Sequence, residues 1–284
     1  MSWFDEIRES LTRSPVIGYA PDTAPATEPT ALAALVLIAS GERTAATAAI
    51  EFLNQCQGED GSVGIRQDQP SPGWPTSLAI LAWLADKREE HQLRIRSAVD
   101  WILQAKGKAQ PQSTDFGHNT ELVAWSWADN THSWIEPTAL HVLALRAAGH
   151  VKHPRTREGV QMLLDRQLPA GGCNYGNTSV LGQMLRPHLQ PTGIALLALA
   201  GEPDSAGRID KSLAYLRRTL GVQTTATSLA WGLLGLAAHK TPIPTAEGWL
   251  AAAYQRVQAH DHSPHKLALL ALASLGPALL TPSI

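Results

Sequence analysis

The sequence predicts an all-α fold in which about six inner and six outer helices form two concentric rings closed into a barrel. Three observations carry this reading. One helix start recurs along the chain, apolar helices alternate with amphipathic ones, and a glycine follows most of the apolar runs.

Residues 1–25 comprise an amphipathic stretch, SWFDEIRESL, and a lead-in segment. The first apolar helix follows in TEPTALAALVLIAS. Its opening returns in GWPTSLAILAWLA, WIEPTALHVLALRAAG and LQPTGIALLALAG, aligned on Thr30, Thr76, Thr138 and Thr192. TATSLAWGLLGLAAHK matches at Thr227 without the proline, and SPHKLALLALASLG matches at His265. Proline at the first helical position loses no hydrogen bond and presets φ, so each P-T is read as a helix start with proline in that place. These helices are rich in Ala and Leu nearly all round, which marks them as buried. Gly41, Gly149, Gly201 and Gly276 sit where a helix stops.

Between them lie ERTAATAAIEFLNQCQ, QLRIRSAVDWILQAK, PRTREGVQMLLDRQ, RIDKSLAYLRRTL and TAEGWLAAAYQRVQ. Each has an apolar cluster at helical spacing and a polar face opposite. With SWFDEIRESL they supply an outer ring. A closed ring buries every apolar face and leaves no ends to cap. An open superhelix of helix pairs is the alternative, and the irregular spacing of the repeats speaks against it.

The chain has 284 residues, 44% hydrophobic and 17% charged, enough for a sizeable core in a single domain spanning 1–284. A net charge of −2 and the lack of a Lys/Arg cluster give no case for nucleic acid. Two cysteines, Cys56 and Cys173, make no disulfide framework and suit a reducing, cytoplasmic setting. The charged N-terminus does not read as a signal peptide. The longest apolar run, ALAALVLIA, falls short of the about 20 residues of a membrane span.

Two outer segments carry a further signature. FLNQCQGEDGSVG and LLDRQLPAGGCNYG each end a helix in Gln and turn through glycines, with DWILQAKGKA as a degenerate third copy. They resemble the QW-type repeat of the squalene cyclase and protein prenyltransferase superfamily, with Val63 and Asn174 near its usual aromatic position. The resemblance covers almost the whole chain and is greatest to short bacterial proteins named for prenyltransferase and squalene oxidase repeats. It implies an α/α toroid, and an isoprenoid-type hydrophobic small molecule bound in a central aromatic-lined cavity. Class II cyclases of that superfamily protonate an alkene or epoxide with an acid at an inner helix start. Alignment on Thr138-Ala139 puts Glu136 at the central acid, with Trp134 and Pro137 at the other two acidic positions. Prenyltransferases hold zinc through Asp, Cys and His. Near Cys173, Gly171 stands where that Asp would be, and Pro191 where the His would be, so no zinc and no other cofactor is expected.

Inner helices of a barrel start at one mouth, where two long loops, 107–135 and 168–190, crowd together. Loops this long in a compact domain are usually functional or disordered. The first brings Asp115, His118, Trp125, Trp127, Asp129, His132 and Trp134. The second brings Cys173, Asn174, Tyr175 and Gln190, and Trp74 enters the second inner helix. Aromatic walls with a few polar groups describe a small-molecule pocket. Glu136 is the candidate general acid, Asp129 and His132 are candidate catalytic partners, and the others are candidate substrate contacts. A structural role competes: Glu28 and Glu136 sit at helix N-termini, where negative charge is favoured. Three functions follow. They are an isoprenoid cyclase, isomerase or transferase; a non-catalytic module for a lipid or a second protein subunit; and a carbohydrate-active barrel in which Glu136 pairs with Asp115 or Asp129.

Overall fold

A computed structural model describes residues 1–112, 115–204 and 206–281. Among these residues the fold is all-α. The inner helices are α2 (Thr27–Ala39), α4 (Thr76–Asp86), α6 (Ile135–Ala147), α8 (Leu189–Ala198), α10 (Ala226–Ala238) and α12 (Pro264–Leu275). The outer helices are α1 (Trp3–Arg13), α3 (Arg43–Gln55), α5 (Gln92–Gln104), α7 (Pro154–Asp165), α9 (Arg208–Thr219) and α11 (Ala246–His260). A two-residue hairpin, β1 (Ser179–Val180) with β2 (Gln183–Met184), lies in the second long loop.

Each inner helix packs on the next, and α12 packs back on α2, so the inner ring is closed. The outer helices lie against them, and α1 seals the seam by packing on α12 and α2. Trp3 Nε1 donates to Glu247 at 2.6 Å, and the Tyr254 hydroxyl donates to Glu6, tying the first outer helix to the last. In α6 every residue from Ile135 to Arg146 is buried. No helix of the described residues is long and apolar enough to cross a membrane.

The recurrent threonine explains the repeat. The hydroxyls of Thr30, Thr76, Thr138 and Thr192 accept the backbone N–H groups of Ile17, Val63, Trp125 and Cys173 at 3.2, 2.7, 3.3 and 2.8 Å. In the first three the clasped residue lies 13 positions earlier. Each threonine thus fastens the incoming loop to an inner helix. Thr138→Val keeps the shape but strands the buried N–H of Trp125, whose carbonyl still accepts the Trp134 N–H. It is expected to cost about 1–3 kcal/mol, read as a lower midpoint in urea unfolding with unchanged slope.

The prolines stand differently from the sequence reading. Pro29, Pro137 and Pro191 occupy the third helical position in α2, α6 and α8, because these helices begin two residues earlier at Thr27, Ile135 and Leu189. Proline is tolerated there for the expected reason, since the first-turn N–H groups have no intrahelical acceptor. Among the inner helices only α12 carries proline at its first position, Pro264, and outer helix α7 does the same with Pro154.

The helix stops match the glycines. Gly41, Gly149, Gly201 and Gly276 have φ of 76°, 86°, 76° and 83°, and Lys87 and Lys240 take the same left-handed place after α4 and α10 at 60° and 57°. A side chain there costs about 1 kcal/mol relative to glycine. Exposed Lys87→Gly is expected to recover part of that and raise the melting temperature, provided no ion pair is lost.

The Gln-Gly turns buttress the outer ring. Gln57 Nε2 donates to the carbonyls of Gly61 and Arg94 at 3.2 and 3.0 Å, and Arg94 returns a bond to its Oε1 at 3.1 Å. Gln167 does the same work between α7 and α9, donating to Leu163 at 3.0 Å and accepting from the Ser212 hydroxyl. At Gly61 and Gly171 a Cβ would lie 2.3 and 2.2 Å from a carbonyl oxygen of the next outer helix, Ser97 and Lys211. These turns join neighbouring outer helices, and the second leads on to Tyr175, whose carbonyl accepts the Ile135 N–H at the start of α6.

Candidate functional site

Helices α2, α6 and α8 open alike. Ala26, Trp134 and His188 are extended N-caps without a side-chain cap bond, and Glu28, Glu136 and Gln190 follow at the second helical position. In the repeat alignment Trp74 takes this place ahead of α4, the helix between those that carry the two glutamates. An exposed glutamate here would be a dipole partner and nothing more. Glu136 is only 7% exposed, and its Oε1 has no hydrogen-bond donor. Burial pushes its carboxyl up to about 7, the Glu28 charge adds to this, and a hydrogen bond from Gln190 opposes it.

Glu28 moves the other way. Burial would raise it, but His265 and the Tyr19 hydroxyl outweigh burial and hold the carboxylate below its ordinary range. Tyr19 donates to Oε2 at 2.7 Å, His265 Nε2 lies 3.4 Å from Oε1, and the two rings are 5.2 Å apart. The rim therefore carries two carboxyls driven apart in acidity, the arrangement that separates an acid from a base. Tyr175 belongs to the same rim. Its carbonyl accepts the Ile135 N–H at 2.8 Å, its ring lies 4.9 Å from His188, and burial and the Glu136 charge raise its hydroxyl pKa.

Six of the remaining expected residues divide between two small cavities, neither of which Glu136 lines, and Asp115, Trp134, Cys173 and Asn174 line neither. One, of about 50 Å³, is lined by Trp74, Trp101, Trp125, Trp127, Asp129 and His141 among others. Trp74 and Trp127 meet edge to face at 4.7 Å. Trp125 is a packing residue in this structure. His141 stacks on it at 5.3 Å, the Arg155 guanidinium covers it at 4.6 Å, and its Nε1 donates to the Ile102 carbonyl at 2.9 Å. With these contacts made and only 2% of its surface exposed, it is held by the protein around it. Asp129 is exposed, as is Asp115. The other cavity, of about 110 Å³, includes His118, His132 and Arg166 in its lining, and His132 lies 4.4 Å from Trp134.

Cys173 is wholly buried. Its N–H goes to Thr192 and its carbonyl accepts the His188 N–H, so it is part of the loop clasp and presents nothing to a ligand. Burial pushes its thiol far up, the opposite of a reactive or metal-binding cysteine. Asn174 holds the loop, donating to the Arg186 carbonyl and accepting the Tyr175 N–H, both at 2.8 Å. Among the described residues no group of three or more His, Cys, Asp or Glu could hold a metal ion.

Sequence reasoning gave Glu28 only a capping role and missed Tyr19. Glu28 and His265 were both visible as repeat positions, on α2 and α12, and ring closure makes those helices neighbours. Tyr19 lies in the lead-in and follows no pattern.

No protein-family model and no curated protein matches the chain. Solved structures do match in fold. An α-amylase from Clostridium perfringens superposes with a TM-score of 0.60 at 9% identity, covering 97% of this chain and 96% of that one. Endoglucanase Cel10 from Klebsiella pneumoniae, a family 8 glycosyl hydrolase, gives 0.58 at 12% identity, covering 95% and 98%. The ent-copalyl diphosphate synthase from Streptomyces platensis gives 0.56 at 19% identity, and the match covers 90% of this chain but 50% of that one. At these identities the likeness shows the α/α toroid fold alone.

Proposed function

We propose that this chain is a proton-transfer enzyme in which Glu136 acts as general acid on an isoprenoid-type hydrophobic small molecule. The observation that supports this is the buried Glu136 carboxyl, with Oε1 unpartnered and its pKa raised to about 7. A neutral acid in a desolvated site is what proton delivery to a carbon–carbon double bond requires. Glu28, kept ionised by Tyr19 and His265, holds the proton on Glu136 by like-charge repulsion. Trp74, Trp134 and Tyr175 supply π faces for the positive charge that protonation creates. Gln190 orients the acid. Asp129, His132, Asp115, His118, Trp127 and Asn174 shape the entrance through the adjoining loops and cavities. The terpene cyclase of matching fold supports this substrate class by analogy only.

One observation favours a second reading. Paired carboxyls of opposite protonation also serve glycoside hydrolysis, with Glu136 as acid and Glu28 as the ionised partner. Two of the toroids matched above carry glycosidase names.

Turnover in D2O separates the two. The chain is incubated with linear polyprenyl substrates and, separately, with soluble oligosaccharides, and products are read by mass spectrometry. Alkene protonation places a solvent deuterium on product carbon, whereas glycosidic cleavage places none there. A carbon-labelled product that disappears in Glu136→Gln is the expected result. New reducing ends without carbon label would shift the assignment to sugars. No turnover of either class would sink the enzymatic reading and leave a binding module.

A further inference from the structure

The cavity of about 110 Å³ beneath the first long loop has features that the acid site leaves unused. A buried water needs about 10–15 Å³, so the space admits a small polyatomic group. Its lining includes Lys108, His118, His132, Ser133 and Arg166. Arg166 is 5% exposed, and its Nε–H has no acceptor. Its Nη1 is already committed to the Asn119 carbonyl at 3.0 Å and to Asp165 at 2.6 Å.

Several other lining groups can donate, beside the apolar Phe116 and Leu122 and the amides of Gln110 and Asn177. Thr178 N–H donates to His118 Nδ1 at 3.3 Å, so the proton of the neutral ring sits on Nε2. Nε2 of His132 is buried without a partner. Ser133 Oγ accepts the Ala124 N–H at 2.8 Å, which leaves its own hydrogen to donate. Burial, then the Arg166 charge, then His132 push His118 down to about 4, while burial and Arg166 lower His132, so both rings are neutral at neutral pH. The Asp165 carboxylate is taken by Arg166 and the Asn119 N–H at 3.0 Å. A buried, unpaired guanidinium N–H is costly to leave unmet, and here it shares a cavity with further donors.

We propose that this cavity binds a tetrahedral oxyanion, a phosphate or sulfate group, either free or at the end of a larger molecule. The donors come from Arg166, two imidazoles, a hydroxyl and a lysine on the rim. That spread matches three or four acceptor oxygens better than the two of a planar carboxylate. None of these donors belongs to Glu136, and anion binding here does not depend on the role of that residue.

Calorimetric titration of the full chain at fixed ionic strength tests it, with inorganic phosphate, sulfate, acetate and decyl phosphate as probes. Phosphate and sulfate are expected to bind and acetate much more weakly. Arg166→Gln is expected to weaken phosphate binding about tenfold or more, the value of a charge-assisted bond. Arg166 also braces Asn119, so Lys108→Ala, an exposed change, serves as the second variant. It should weaken binding several-fold with an unchanged unfolding curve. Decyl phosphate binding more tightly than inorganic phosphate would assign the head group of a larger ligand, and equal binding would assign the free anion. Absence of phosphate binding in the wild type, acetate binding as tightly, or wild-type affinity in both variants would overturn the proposal.

Discussion

Gly193→Ala is expected to destabilise the protein by about 3 kcal/mol, although alanine is the better helix former. Helices α8 and α10 approach backbone to backbone. A Cβ on Gly193 would lie 2.4 Å from the Trp231 carbonyl oxygen and 2.6 Å from the Gly232 nitrogen. One on Gly235 would lie 2.5 Å from the Gly193 carbonyl oxygen. These atoms belong to helix backbone and cannot rotate away, so the two helices must separate. That separation would propagate, because each inner helix is held between two others in a closed ring. Gly248→Ala in outer helix α11 is the internal control. A Cβ there meets nothing within 4 Å, and the change should gain about 0.5 kcal/mol from helix propensity. Denaturant midpoints of the two variants, measured side by side, decide it. Equal midpoints would mean that the ring accommodates a wider α8–α10 spacing.

The architecture was legible because the inner ring imposes one local requirement repeatedly. Every inner helix must be apolar all round, must start where its loop can be fastened, and must stop sharply at the far rim. Those demands write Ala and Leu, a Pro-Thr pair and a left-handed stop into the chain several times over, and repetition lifts them above noise. What the threonine fastens was not legible, although the interval of 13 residues to Ile17, Val63 and Trp125 is regular. The site was legible only in part, since a site occurs once. Glu136 stood out by its place in a repeat. Its effective neighbour, Glu28, lies far off in sequence and is reached across the ring, whereas Asp115 and Asp129 are near in sequence and exposed. Density of Trp and His in one loop pointed to a pocket. For Trp125 it marked packing instead, because a large flat ring in contact with His141 and Arg155 also fills the gap behind a long loop.

Glu136→Gln carries the second large effect, and it should run in opposite directions for activity and for stability. As general acid Glu136 is expected to contribute about 10²–10⁴ to the rate, and the amide cannot deliver a proton. Folding stability responds to the same carboxyl with a definite sign. Its pKa rises from 4.5 to about 7 on burial, so between those values the folded chain holds a proton that the unfolded chain has lost. Wild-type stability therefore falls as pH rises through this window, and the penalty is complete above about pH 7. Glutamine escapes it. The variant should match the wild type near pH 4 and exceed it by about 3 kcal/mol at pH 8, since each pH unit between the two values is worth about 1.4 kcal/mol. Glu28→Gln should do the reverse. Its carboxyl is held below the ordinary range by Tyr19 and His265, so the wild type draws stability from it above the unfolded value and loses that stability as pH falls. The same change removes the charge that helps keep Glu136 protonated. The alkaline limb of the pH–rate profile should then move to lower pH, as the acid is lost earlier. A capping role for Glu136 predicts the contrary result, a variant less stable than the wild type at pH 8 with its turnover intact. Paired unfolding curves at pH 4 and pH 8 distinguish the two without knowledge of the substrate.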